Sequence, residues 1–198
     1  MKLLLKISNL IDGINERVGQ SIIWLILIAV LISAANAIIR KLFNYSSNAF
    51  LEMQWYLFSG IFLLGAGYTL LHNEHVRIDI ILGKFSKRTQ TWVDIFGTTF
   101  FLLPMSLSVL WLSSSFFMQA YTSNEMSLNA GGLILWPAKL LIPTGFLLLS
   151  LQGISEIIKR FAFLKGLIDD PSEKHKAPAA EEVLIEELRT RLQEENSK

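Results

Sequence analysis

The 198-residue sequence has no cysteine, which excludes a disulfide framework, a thiolate metal site and a catalytic thiol. It has almost no net charge, +1, so no basic surplus exists to neutralise phosphates, which argues against nucleic acid as a partner. Histidine is scarce, at three residues. A glycine-rich phosphate loop, a nucleophile elbow and a catalytic triad set are all missing, so an enzyme is not expected. What the chain does have is apolar residues, 52 % of the total, and a mean hydropathy of +0.43. That is too high for an ordinary soluble domain of this length. Together with several long apolar runs it predicts an all-α integral membrane protein.

The chain divides into three parts: residues 1–20, a membrane domain over 21–160, and a charged linker with a short tail helix over 161–198. In 1–20, Leu3, Leu4, Ile7, Leu10, Ile11, Ile14 and Val18 share one helical face, opposite Lys2, Lys6, Asn9, Asp12, Glu16 and Arg17. Such a helix suits the headgroup region, so an amphipathic interfacial helix is expected here; packing on another protein is the alternative. Four transmembrane helices follow, at about 22–42, 50–71, 92–121 and 136–158.

The first span carries Ala35-Asn36-Ala37, which imitates a signal-peptidase site. The preceding amphipathic stretch is far longer than a signal's basic region, so the span is read as retained. Ala29, Ser33, Asn36 and Arg40 share a face, and Asn36 is expected to tie helices together. The second span opens with Glu52, Gln54, Trp55 and Tyr56, repeats small residues as Ser59/Ala66 and Gly60/Gly67, and exits through His72, Asn73, Glu74, His75, Arg77 and Asp79. Pro104 in the third span removes the bond to Phe100 and should bend it. Thr122–Leu135 reads as a loop. In the fourth span Pro137 suits the first turn, Pro143 is interior beside Gly145, and Glu156 reaches Lys159 and Arg160 at i+3 and i+4.

Lys2, Lys6, Arg17, Arg77, Lys84, Lys87, Arg88, Lys159, Arg160 and Lys165 fall on one side of the membrane, against Arg40, Lys41 and Lys139 on the other. The positive-inside rule then makes both termini cytoplasmic. Glu52 lies near the outer surface and the His72–Asp79 patch near the inner one.

Several residues carry possible chemistry. Glu52 in the first turn of a membrane helix can accept protons or hold a cation. Its simpler role is a boundary carboxylate paired with Arg40, Lys41 or a partner subunit, since no second acid lies deep enough to form a relay. His72, Glu74, His75 and Asp79 have the spacing of a weak metal site, but Arg77 repels cations, and His75, Arg77 and Asp79 read better as an inner-surface anchor. No metal or cofactor is expected. The small-residue seams, with Gly60, Gly67 and Gly145, serve close helix packing within the subunit or against a larger partner.

Glu52-Met53-Gln54-Trp55, Leu64-Gly65-Ala66-Gly67, His75-Val76-Arg77-Ile78-Asp79 and Leu141-Ile142-Pro143-Thr144-Gly145-Phe146, in this order over Ser21 to Arg160, resemble the small membrane subunit (DctQ-like) of tripartite ATP-independent periplasmic, or TRAP, transporters. The tail after Asp169 lies outside the resemblance. The resemblance implies a scaffold in the bacterial inner membrane, bracing a large subunit that moves a small organic acid with sodium. Candidates are a C4-dicarboxylate, a 2-oxo acid or sialic acid, and the substrate and sodium sites would lie in the large subunit. It implies subunit packing through Asn36, Glu52, Gln54, Trp55, Gly60, Gly67, Pro143 and Gly145. It also implies docking of the periplasmic substrate-binding protein on the two outward loops, with Asn44, Ser47, Asn48, Ser123, Asn124, Glu125 and Asn129. Lipid is the remaining partner. The competing expectation is a self-sufficient oligomeric transporter with Glu52 as coupling acid.

Overall fold

The computed structural model describes residues 1–45, 47–73 and 85–169. The expected tail helix and the anchor residues His75, Arg77 and Asp79 lie outside the described residues. Among those described, four helices are long and apolar enough to cross a membrane: α1 (Lys2–Phe43), α2 (Asn48–Leu71), α3 (Lys87–Thr122) and α4 (Trp136–Leu164). They run up, down, up and down. The N-terminal parts of α1 and α3 meet the end of α4, while the start of α2 meets the α3–α4 connection.

The helix ends follow from local chemistry. No proline occurs before Pro104, so nothing interrupts α1 until Asn44, which closes it in the left-handed conformation at φ 49° after Arg40 and Lys41 in the last turn. Ser47, extended at φ −114°, starts α2, and Ser86 starts α3 by accepting a hydrogen bond from the Thr89 N–H at 3.3 Å. Ahead of Pro104, where a bend was expected, the helix widens into a π-helical segment, Thr98–Leu102, in which Leu103 N–H bonds to Thr98 C=O. With no N–H on Pro104, widening the preceding turn is how the helix keeps its ladder.

A separate interfacial helix over 1–20 is not what forms. α1 is continuous for 42 residues, about 63 Å at ~1.5 Å per residue. Its buried positions Ser8, Asn15, Ile22, Ala29 and Asn36 recur every seventh residue across the expected boundary, which is the repeat of one seam against neighbouring helices. The apolar stripe expected to meet lipid is largely exposed, and the polar stripe opposite it is the one that meets the other helices. Leu3, Leu10 and Ile14 point outward, while Asp12, Asn15 and Glu16 face α4 and α2.

α4 is the central helix, packing against α1, α2 and α3. Of its most apolar stretch 39 % is buried, against 11–17 % for the other three. The interior is accordingly polar and small, with Asn15, Ser106, Ser150, Gln152 and Ser155 nearly inaccessible, and the exterior is large and apolar, with Phe62, Trp111 and Leu112 exposed. In lipid there is no hydrophobic drive to hide leucine, so helices associate through small and hydrogen-bonding residues.

Gly145 shows how close that association is. A Cβ there would stand 2.6 Å from the Leu63 carbonyl oxygen of α2. At Gly67 a Cβ would overlap Asn15 Oδ1 and stand 3.4 Å from Leu148 C=O, so α1, α2 and α4 converge on this one glycine.

Candidate functional site

Two polar assemblies lie at opposite ends of the bundle. The first joins the start of α2 to the α3–α4 connection. Asn48, Glu52 and Tyr56 stand one turn apart on a single face of α2. Asn48 Nδ2 donates to Ala130 C=O at 3.0 Å, and Tyr56 Oη to Ile134 C=O at 2.9 Å. Between them the Glu52 carboxylate accepts from Leu133 N–H at 2.6 Å, Asn129 Nδ2 at 2.8 Å and Ser127 Oγ. Glu52 is 5 % exposed.

Those donors belong to a small hairpin, where composition had suggested only a loop. Ser127 N–H donates to Leu133 C=O and Leu135 N–H to Glu125 C=O, both at 2.9 Å, with Met126 and Ile134 bridged between them. Gly132 N–H closes the turn on Asn129 C=O at 2.9 Å, with Gly131 at φ +70°, a conformation that glycine adopts without a steric cost. Gly132 also has to be small, because a Cβ would stand 2.9 Å from Glu52 Oε1. Glu125 is paired with Lys139 at 2.5 Å, and that ammonium sits 3.8 Å from the centre of the Phe116 ring.

At the other end, α4 presents Gln152, Ser155, Glu156, Lys159 and Arg160 to α1 and α3. Asp12 accepts from Ser155 Oγ at 2.6 Å, Gln152 Nε2 at 2.9 Å and Lys159 Nζ at 3.1 Å. Glu156 is ion-paired with both Lys159 and Arg160, as the i+3 and i+4 spacing predicts, and Arg160 Nε reaches Asp94 of α3 at 3.3 Å. Asn15 Nδ2 donates to Gln152 Oε1 at 2.9 Å, and Ser8 and Ser155 hydroxyls lie 2.7 Å apart. His72 Nε2, under the Tyr68 ring, lies 2.8 Å from Glu16 Oε2. Asn15 Oδ1 is buried without a hydrogen-bond partner. It lies against Gly67 of α2, where a Cβ would overlap it.

The expected site residues separate into two groups. Glu52, Gly60, Gly67, Pro143 and Gly145 are buried among this chain's own helices, Asn36 lies on the buried seam of α1, Gln54 is half-buried and Trp55 is exposed. Glu52 is held by the hairpin; its hydrogen-bond partners are uncharged, where Arg40, Lys41 or a partner subunit had been expected. Of the outward-loop residues, Asn48 and Asn129 are engaged as described, Ser123 Oγ donates to Gln119 C=O at 2.8 Å, and Asn44 and Asn124 take left-handed backbone conformations. Ser47 precedes α2 without a side-chain cap bond.

Sequence reading passed over the Asn48/Glu52/Tyr56 spacing of four and the contribution of Asp12, Asn15 and Gln152. The first was visible as a polar stripe opening an apolar helix. A cavity of about 390 Å³ lies between α3 and α4 beside the π-helical segment, walled by Trp92, Phe96, Phe100 and Phe161 with no ionisable residue in its lining. An organic acid would find no charge partner there.

The family model described as "Tripartite ATP-independent periplasmic transporters, DctQ component" matches residues 29–163. No curated protein matches the chain, and no solved structure does.

Proposed function

This chain belongs to the DctQ-component family of the tripartite ATP-independent periplasmic transporters, and from that membership we propose that it is the transporter's small scaffold subunit. It braces the large subunit in the inner membrane and helps the periplasmic substrate-binding protein to dock during sodium-driven uptake of a small organic acid. Both termini are cytoplasmic in this reading, so the hairpin faces the periplasm and the ionic assembly lies at the cytoplasmic surface.

The observation that carries the reading is a bundle whose buried charges are already engaged with one another or with the hairpin. Glu52 has three donors, and Asp12, Asp94, Glu156, Lys159 and Arg160 are joined in one network. A carboxylate that couples transport must exchange its partner for a proton or cation, and Glu52 is held by a backbone N–H and two side chains instead. That counts against the self-sufficient transporter. Gly60, Gly67 and Gly145 are used inside the chain, and the surface offered to a large partner in this reading is the bulky apolar exterior represented by Phe62 and Trp111.

Affinity purification from the native membrane tests this. The chain is expected to bring a larger membrane protein with it, and the purified chain alone, reconstituted in vesicles, is expected to give no sodium-driven flux of any candidate acid. Flux from the chain alone would overturn the proposal.

A further inference from the structure

Ser127 and Asn129 both point their side chains inward to one carboxylate, and the residue between them has nowhere to go but out. Leu128 is fully exposed, at 104 % of its reference area, and Met126, on the same side of the hairpin, is 61 % exposed. A leucine so placed is not left over from poor packing, because the atoms on either side of it are fixed. Ser127 is bonded through its backbone to Leu133 and through its hydroxyl to Glu52; Asn129 donates its amide to the same carboxylate and accepts the turn-closing bond from Gly132. Gly132 has no side chain to push the turn off Glu52. The apolar tip is therefore held in one position before anything binds, which reduces the ordering cost of association.

The geometry points to Leu128, with Met126 beside it, as an apolar plug that enters a hydrophobic notch on the periplasmic substrate-binding protein, with Glu52 as the positioning residue that holds the plug out. This rests on the docking reading given above. A soluble protein fits better than lipid as the occupant for two reasons. The plug stands on a hairpin approached through exposed, polar Ser123 and Asn124, as on a protein surface facing water, and the aromatic anchors Tyr121 and Trp136 lie at the helix ends from which the hairpin projects. A fixed geometry also benefits a shaped protein notch, while fluid acyl chains accept a leucine in any orientation.

The test uses the whole membrane complex in nanodiscs and the substrate-binding protein in solution, with binding followed by biolayer interferometry. Leu128→Asp is expected to weaken binding roughly 10- to 100-fold, the value of burying one leucine. Assembly with the large subunit should be unchanged, because Leu128 lies on the hairpin, off the apolar faces of the spans that hold that subunit in this reading. In a Leu128→Trp variant, fluorescence is expected to shift to the blue when the binding protein is added and to be unaffected by brominated lipids. Wild-type affinity in Leu128→Asp, or quenching of Leu128→Trp by brominated lipids, overturns the plug while the docking reading stands. Failure of the binding protein to bind the unaltered complex overturns the docking reading, and the plug with it.

Discussion

Replacing Gly145 by alanine should separate α2 from α4, and Gly60→Ala provides the matched control. At Gly145 the new Cβ would stand 2.6 Å from Leu63 C=O oxygen and 2.9 Å from both the Leu63 carbonyl carbon and Cβ. Carbon and carbonyl oxygen approach no closer than about 3.3 Å even in favourable Cα–H···O contacts. The helices must therefore part locally by about 0.7 Å, through backbone and not by turning a side chain. Overpacking of that kind costs about 1–3 kcal/mol. At Gly60 the Cβ would meet only Leu141 and Leu25 methyl groups at 3.7–3.8 Å, an ordinary contact. Both changes gain up to ~1 kcal/mol of helix propensity, which cancels in the comparison. Gly145→Ala is thus expected to be less stable than Gly60→Ala by about 1–3 kcal/mol, measured by reversible denaturant unfolding in detergent micelles with tryptophan fluorescence. Equal stability, or the opposite order, would refute the close backbone approach.

Glu52→Ala removes the acceptor common to Leu133 N–H, Asn129 and Ser127. Amide hydrogen exchange over residues 127–135 should accelerate at least tenfold with the spans unaffected, and unchanged protection would refute the pinning. Arg160→Met removes the guanidinium that joins Asp94 to Glu156 and leaves Glu156 with Lys159 and the Gln152 amide; breaking a buried pair should cost about 3 kcal/mol. The same unfolding assay checks this, and a loss below about 1 kcal/mol would mean that the network is effectively a surface one.

Much of the architecture was readable from residue order. Runs of leucine, isoleucine and phenylalanine marked four spans, and Glu156 with Lys159 and Arg160 was visible from helical spacing. The N-terminal stretch was read as a separate surface helix because its polar stripe was assigned to the headgroup region. In a bilayer the polar stripe makes the contact, and Ser8, Asn15, Ile22, Ala29 and Asn36 carry one seven-residue repeat through the expected boundary. Glu52 stood out as an acid in a membrane helix, but its donors lie 75–81 residues further along the chain, and no local pattern links them.

By itself the sequence determined where the helices lie, since the tendency of a segment to enter lipid is close to a sum over its residues and its length is set by the bilayer. Which polar groups meet was decided only by the tertiary structure. A rotation of α2 by one residue, about 100°, would carry Glu52 off the hairpin and Gly67 off Asn15 while leaving the hydropathy unchanged. That rotation is chosen by the packing of Gly67 and Gly145 against neighbouring backbone, a property of three helices together.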